Sequence, residues 1–142
     1  MKSFAAHARI AASPERIWSI LTDAPAYVAW DSGVDRVVGH IAPGERITVY
    51  SAAAPGRAFP VTVTEFQPGR SMRWSGGLPF GLFRGERTFT LHPSPDGTTR
   101  FEMREAYTGP LVPLIWRSIP DLSPSFERFS NGLRQRAEAG GG

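Results

Sequence analysis

RGERTFTLHPSPDGTTRFEMREAYT, residues 84–108, is the stretch that decides the fold. It reads as two strands, Arg84–His92 and Thr98–Thr108, joined through Ser94-Pro95-Asp96-Gly97. Proline, aspartate and glycine there suit a type I turn closed by a glycine with positive φ, a common three-residue hairpin loop. If the chain reverses at that turn, Leu91 faces Phe101, Phe89 faces Met103, Arg87 faces Glu105, and Gly85 lies near Tyr107. Strand side chains alternate with period two, so these residues share one face. The opposite face carries Arg84, Glu86, Thr88, Thr90, Arg100, Glu102 and Arg104. One side is oily and the other wet, so something apolar must cover the first.

Working upstream, the same alternation recurs. Val34–Ile41 and Arg46–Ser51 are separated by Ala42-Pro43-Gly44-Glu45, and Ala58–Phe66 and Ser71–Ser75 by Gln67-Pro68-Gly69-Arg70. Both separators are hairpin signals. Residues 3–11 read as an opening strand with Phe4, Ala6, Ala8 and Ile10 in phase. Ser13-Pro14-Glu15 then starts a helix: serine caps free N–H groups, proline suits the first helical position, and the carboxylate suits the positive end of the dipole. A second short turn carries Tyr27 and Trp30. Seven strands joined mainly by hairpins predict an antiparallel sheet.

Downstream, Val112, Ile115, Ile119, Leu122, Phe126, Phe129 and Leu133 recur in steps of three and four, the spacing of one helical stripe. The stripe keeps its phase across Pro120 and Pro124, which predicts one long C-terminal helix. At about 100° per residue the prolines fall opposite the stripe, so a proline bend would make the apolar face concave. The alternative is a break at Pro120, with Ser123 capping a fresh helix at Pro124. The expected class is α+β, a seven-stranded curved antiparallel sheet around a C-terminal helix with short helices after the first strand. It forms a single domain over residues 1–138; the Ala-Gly tail after Arg136 should fray, with 139–142 disordered.

Composition narrows the function. The 142 residues are 41% hydrophobic and 20% charged, a globular balance that holds one real core. There is no cysteine, which excludes disulfides, thiolate metal sites and cysteine nucleophiles and makes a reducing cytoplasm the expected location. The start has no long apolar run after its charges, so neither a signal peptide nor a membrane span is expected. The net charge is +3, but the arginines are scattered and interleaved with acids, which argues against a nucleic-acid partner. His7, His40 and His92 lie far apart, and no metal-ligand spacing, nucleophile elbow or phosphate loop is present. No metal and no cofactor are expected.

The order of these motifs resembles the SRPBCC superfamily, which includes START-like lipid-transfer domains, birch-pollen-allergen relatives and polyketide cyclase/dehydrase proteins. The resemblance spans residues 3–138. It rests on the opening strand followed by Ser13-Pro14-Glu15-Arg16-Ile17-Trp18 and Leu21-Thr22-Asp23, then Phe66-Gln67-Pro68-Gly69 with Met72 and Trp74. Gly85-Glu86-Arg87-Thr88-Phe89, then Thr98-Thr99-Arg100-Phe101 running to Glu105 and Gly109, and the amphipathic end complete it. It implies a helix-grip fold with a cavity between sheet and helix. That fold hosts carriers, receptors and enzymes, so activity does not follow from it.

The expected partner is a hydrophobic or aromatic small molecule such as a lipid or polyketide, bound in that cavity. The expected lining is Trp74, Arg87, Phe89, Phe101, Met103, Glu105, Tyr107, Trp116, Ile119 and Phe126; aromatic and methionine residues at such positions also serve as plain core. Arg87 and Glu105 read either as a structural ion pair or as a pair that orients a ligand's polar group. Were the chain an aromatase/cyclase-type enzyme, Glu105, Arg87 or Tyr107 would move protons. A third reading is a protein-interaction module with a filled cavity. Leu78, Phe80, Leu82 and Phe83, among Gly76, Gly77, Gly81 and Gly85, are too apolar for a solvated tip. They are expected to form a portal over the cavity mouth, to pack near Leu111 and Leu114, or to meet a second copy in a homodimer.

Overall fold

In the computed structural model, which describes residues 2–52, 54–119 and 121–139, the hairpin at 84–108 has the register its sequence demands. β6 (Arg84–Pro93) pairs with β7 (Thr99–Thr108) so that Leu91 faces Phe101, Phe89 faces Met103, Arg87 faces Glu105 and Gly85 faces Tyr107. The turn is held from inside. The Ser94 N–H donates to the Thr98 carbonyl at 2.9 Å, and Gly97 sits at φ +88, a conformation that costs glycine nothing. The Asp96 carboxylate accepts from the Thr98 hydroxyl at 2.7 Å and from its N–H at 3.0 Å, and it pairs with Arg9. Those donors, Thr98 foremost, hold its pKa at about 2.

The remaining strands are β1 (Lys2–Ile10), β2 (Val34–Val38), β3 (Arg46–Ser51), β4 (Ala58–Gln67) and β5 (Ser71–Gly77). All neighbours are antiparallel, in the order β1-β7-β6-β5-β4-β3-β2. β1 lies against β7 with Phe4 opposite Glu105 and Ala6 opposite Met103. Glu65, at φ +49, sits in a bulge of β4 between Thr64 and Gln67. Such an extra residue bends its strand and increases local twist, which helps curve the sheet. Helix α1 (Pro14–Leu21) begins as its sequence proposes: the Ser13 hydroxyl accepts from the Arg16 N–H at 3.1 Å, and Ile17, Ile20 and Leu21 enter the core. A 3₁₀ turn over Ala24–Ala29 then buries Tyr27, whose hydroxyl donates to the Leu21 carbonyl at 2.6 Å.

The C-terminal segment corrects the single-helix expectation. One turn of helix, α2 (Val112–Ile115), runs into a 3₁₀ turn at Trp116–Ser118, and Ile119 is extended at φ −86, ψ 121. The residue before a proline is driven out of the helical region, so the chain straightens there; Pro120 itself lies outside the described residues. Helix α3 (Ser123–Ala139) then starts afresh. Just ahead of its first turn the Asp121 carboxylate accepts from the Ser123 N–H at 3.0 Å. No continuous, proline-bent concave face forms. Nor does the helix fray after Arg136: it continues to Ala139, with Ala137 buried. The Glu138 carboxylate accepts from the Ala11 N–H at 2.9 Å and the Arg136 carbonyl from Arg16 at 3.2 Å. Residues 140–142 lie outside the described residues.

α3 lays Phe126, Phe129, Leu133 and Ala137 on the inner face of the sheet. Phe129 is the hub, its ring centroid 5.2–6.2 Å from those of Tyr27, Trp30, Phe89 and Phe101. Gly132 allows the helix to come this close. A Cβ there would stand 1.9 Å from the Asp31 carbonyl oxygen, far inside van der Waals contact. Arg128 fixes the same approach with a 2.6 Å bond to the Asp31 carboxylate.

Candidate ligand-binding site

The apolar inner face is interrupted by three polar side chains near one end of the sheet. Arg87 on β6 brings its Nε to 3.3 Å from Glu105 Oε1 on β7, and the Tyr107 hydroxyl donates to the other carboxylate oxygen. Arg87 and Glu105 keep only 20% and 16% of their side-chain exposure. The Arg87–Glu105 contact is ionic rather than an aligned hydrogen bond, because Arg87 Nε is buried without an acceptor. Trp74, which faces Arg87 from β5, likewise has a buried Nε1 with no acceptor. Burial first, and the Glu105 carboxylate second, push the Tyr107 hydroxyl above the ordinary phenol range, so it keeps its proton at neutral pH.

Aromatic rings roof this cluster. The Arg87 guanidinium lies 4.8 Å from the Phe126 ring centre on α3, within cation–π range. Trp116 stacks on Phe4 at 5.3 Å and meets Tyr107 edge-on at 5.8 Å. Phe83 stacks on Tyr107 at 5.7 Å. The loop carrying Phe83 is tied down at its base: Leu78 N–H donates to the Phe83 carbonyl at 2.8 Å and Leu111 N–H to the Leu82 carbonyl at 3.0 Å. At its tip the Leu82 N–H donates to the Pro79 carbonyl at 3.3 Å. Phe80, at φ +62, is 96% exposed, and Leu78, Leu82 and, on α2, Leu114 are also exposed.

Of the sequence-expected lining, Arg87, Glu105, Tyr107, Trp116 and Phe126 come together here. Trp74 reaches the edge of the cluster. Phe89, Phe101 and Met103 lie deeper, fully buried among Phe129 and its neighbours, and Ile119 is half-buried beyond the end of α2. Two hollows open elsewhere: about 230 Å³ beside Gly33, Ala52, Pro124, Ser125 and Arg128, and about 310 Å³ on the outer sheet face. Phe4 belongs to the site although the sequence did not single it out; its strand phase was visible, but its place opposite Glu105 depends on β1 pairing with β7. Among the described residues no group of three or more His, Asp or Glu side chains is placed to hold a metal.

The sequence profile described as "Polyketide cyclase / dehydrase and lipid transport" matches residues 1–138. No curated protein sequence matches the chain. Among solved structures, protein MLL2253 of Mesorhizobium loti is similar at a TM-score of 0.73 and 21% identity, covering 97% of this chain and 98% of that one. A START superfamily protein of Mycobacterium smegmatis has a TM-score of 0.67 at 17% identity, over 96% and 97% of the two chains. A norcoclaurine synthase point mutant of Thalictrum flavum, in complex with a transition-state analogue, has a TM-score of 0.71 at 13% identity, over 99% and 96%. Likenesses at these identities speak for the shared fold.

Proposed function

The chain belongs to the polyketide cyclase/dehydrase and lipid transport family, and from that premise we propose that it binds a hydrophobic or aromatic small molecule between sheet and helices. The molecule enters where the Leu78–Phe83 loop meets α2. Its polar group sits against Arg87, Glu105 and Tyr107, and its apolar body replaces the contacts among Phe4, Phe83, Trp116 and Phe126. The observation that carries this reading is the Arg87–Glu105–Tyr107 cluster on an otherwise apolar face, with the donors Arg87 Nε and Trp74 Nε1 left without acceptors. Buried donors without partners are costly, and a ligand carbonyl, hydroxyl or carboxylate supplies what they lack. Affinity comes mainly from apolar burial, at ~25 cal/mol per Å² before the costs of association.

Native mass spectrometry of gently purified protein tests the proposal by looking for a co-purified small molecule. A bound species that is lost from Arg87→Met, with the fold intact by circular dichroism, supports it. Protein free of any adduct that also gives the same 1-anilinonaphthalene-8-sulfonate titration in wild type and Arg87→Met would end it.

A second reading rests on the exposed apolar cluster of Leu78, Phe80, Leu82 and Leu114 beside an interior filled around Phe129. Here the same end of the molecule is a protein-interaction surface. Concentration-dependent self-association that Phe80→Ser abolishes, without change in small-molecule binding, favours that reading over the first.

A further inference from the structure

We infer that the outer face of β5, β6 and β7 carries a binding site for a phosphate-type oxyanion, separate from the inner-face cluster. Strand register places Arg73, Thr88 and Arg104 in one row, Arg73 opposite Thr88 and Thr88 opposite Arg104. Neighbouring strands lie about 4.8 Å apart, so the two arginines stand roughly 10 Å apart at their Cα atoms with the threonine hydroxyl between them. That is a span two guanidiniums close over a single tetrahedral anion. The row lines a hollow of about 310 Å³, completed by Glu86 and Ala106.

The local charge is unbalanced. Among the described residues Glu86 is the only acid lining the hollow, and it is already engaged: Oε2 lies 3.5 Å from Arg73 and 3.5 Å from Arg84 and accepts from the Ser75 hydroxyl at 3.3 Å. The nearby Glu102 carboxylate lies 3.5 Å from Arg100. Two guanidiniums therefore share the Glu86 carboxylate, and Arg104 adds a third positive charge to the lining of the hollow. Arg104 has no ion pair among the described residues, and Arg73 Nε is buried without an acceptor. A small rotation of the Arg73 guanidinium toward an anion above Thr88 gives that donor a partner. Planar guanidiniums grip oxyanions through paired N–H bonds, and a tetrahedral dianion accepts from both walls and the floor at once.

Inorganic phosphate and phenyl phosphate are the probes, titrated at constant ionic strength set with sodium chloride and followed by NMR of arginine side-chain N–H groups and backbone amides. The expected result is saturable shifts at millimolar probe, confined to Arg73, Thr88, Arg104 and their strand neighbours. Arg104→Gln should weaken binding about fivefold or more, and Glu86→Gln, which removes the competing carboxylate, should tighten it about threefold or more. Both substituted side chains lie on the wet face, and a melting curve verifies the fold of each. Tighter binding of phenyl phosphate identifies a phosphate ester as the natural ligand, and equal binding identifies free phosphate. Non-saturating shifts, shifts spread over all the arginines, or Arg104→Gln binding like wild type would overturn the inference.

Discussion

Replacing Glu105 by glutamine tests the physics of the inner cluster most sharply. The substitution keeps the shape and leaves an amide oxygen able to accept from Tyr107, but it removes the negative charge 3.3 Å from Arg87. At an effective dielectric of ~20, two unit charges at that distance attract by about 5 kcal/mol, before the several kcal/mol each ion loses on leaving water. The intact pair is therefore near break-even, whereas a lone Arg87 keeps its desolvation cost and loses its compensation. Breaking a fully buried pair costs about 3–5 kcal/mol. Because these side chains retain 20% and 16% exposure, and Arg87 keeps its contact with the Phe126 ring, the expected loss is about 2 kcal/mol. Arg87→Met with Glu105→Gln removes both charges and should lie within about 1 kcal/mol of wild type. Urea unfolding of wild type, Glu105→Gln, Arg87→Met and the double variant gives the coupling energy directly. Additive losses, with coupling below about 0.3 kcal/mol, would show that water already compensates Arg87 and that the desolvation argument is wrong.

Gly132→Ala should destabilise the protein although alanine is the better helix former by about 1 kcal/mol. The Asp31 carbonyl oxygen 1.9 Å from the new methyl forces α3 and the Asp31 turn apart, a loss of about 2 kcal/mol net and roughly 5 °C in Tm; an unchanged or raised Tm refutes the packing. Asp96 should titrate near pH 2 by carboxyl NMR, below its ordinary 3.8. The stability its turn contributes is thus fully present above about pH 4 and lost as pH falls through 2, and Thr98→Ala should move the titration up more than Arg9→Ala does. An Asp96 that titrates at its ordinary value would remove the turn's side-chain clamp from the account. Asp121→Ala should lower the thermal midpoint by removing the acceptor for the Ser123 N–H at the start of α3, and an unchanged melting curve would remove that bond from the account.

The β6–β7 register was legible because two constraints agreed: Pro95-Asp96-Gly97 sets where the chain reverses, and the alternation sets which face is buried. Together they place Arg87 opposite Glu105 from the sequence alone. The C-terminal helix was misread for a related reason. Val112 and Phe126 are both buried, so their segments each turn an apolar side inward whether or not the backbone is continuous. Phase is therefore no proof of continuity; the local rule that the residue before a proline leaves the helix is the better guide, and Ile119 obeys it. Phe4 and the seating of Phe83 on Tyr107 were out of reach because they depend on contacts between residues far apart in sequence. The filling of the interior was out of reach too, since it depends on how the rings around Phe129 settle against one another.

That filling changes what binding must involve. Phe89 and Phe101 are buried against Phe129, so displacing them would cost apolar packing at the centre of the domain. At the Arg87–Glu105 end the rings belong to four separate segments: Phe4 on β1, Phe83 in the loop, Tyr107 on β7 and Trp116 beyond α2. Tyr107 and Phe4 lie in the sheet, whereas Phe83 precedes β6 in the loop and Trp116 sits in the 3₁₀ turn ahead of the break before α3. The extended chain at Ile119 thus does what a continuous helix could not. It ends the short helical segment carrying Trp116 before α3 begins, so the two are separate elements of the backbone. A ligand bound at this end, as proposed above, would therefore meet rings carried by separate elements rather than by one continuous helix.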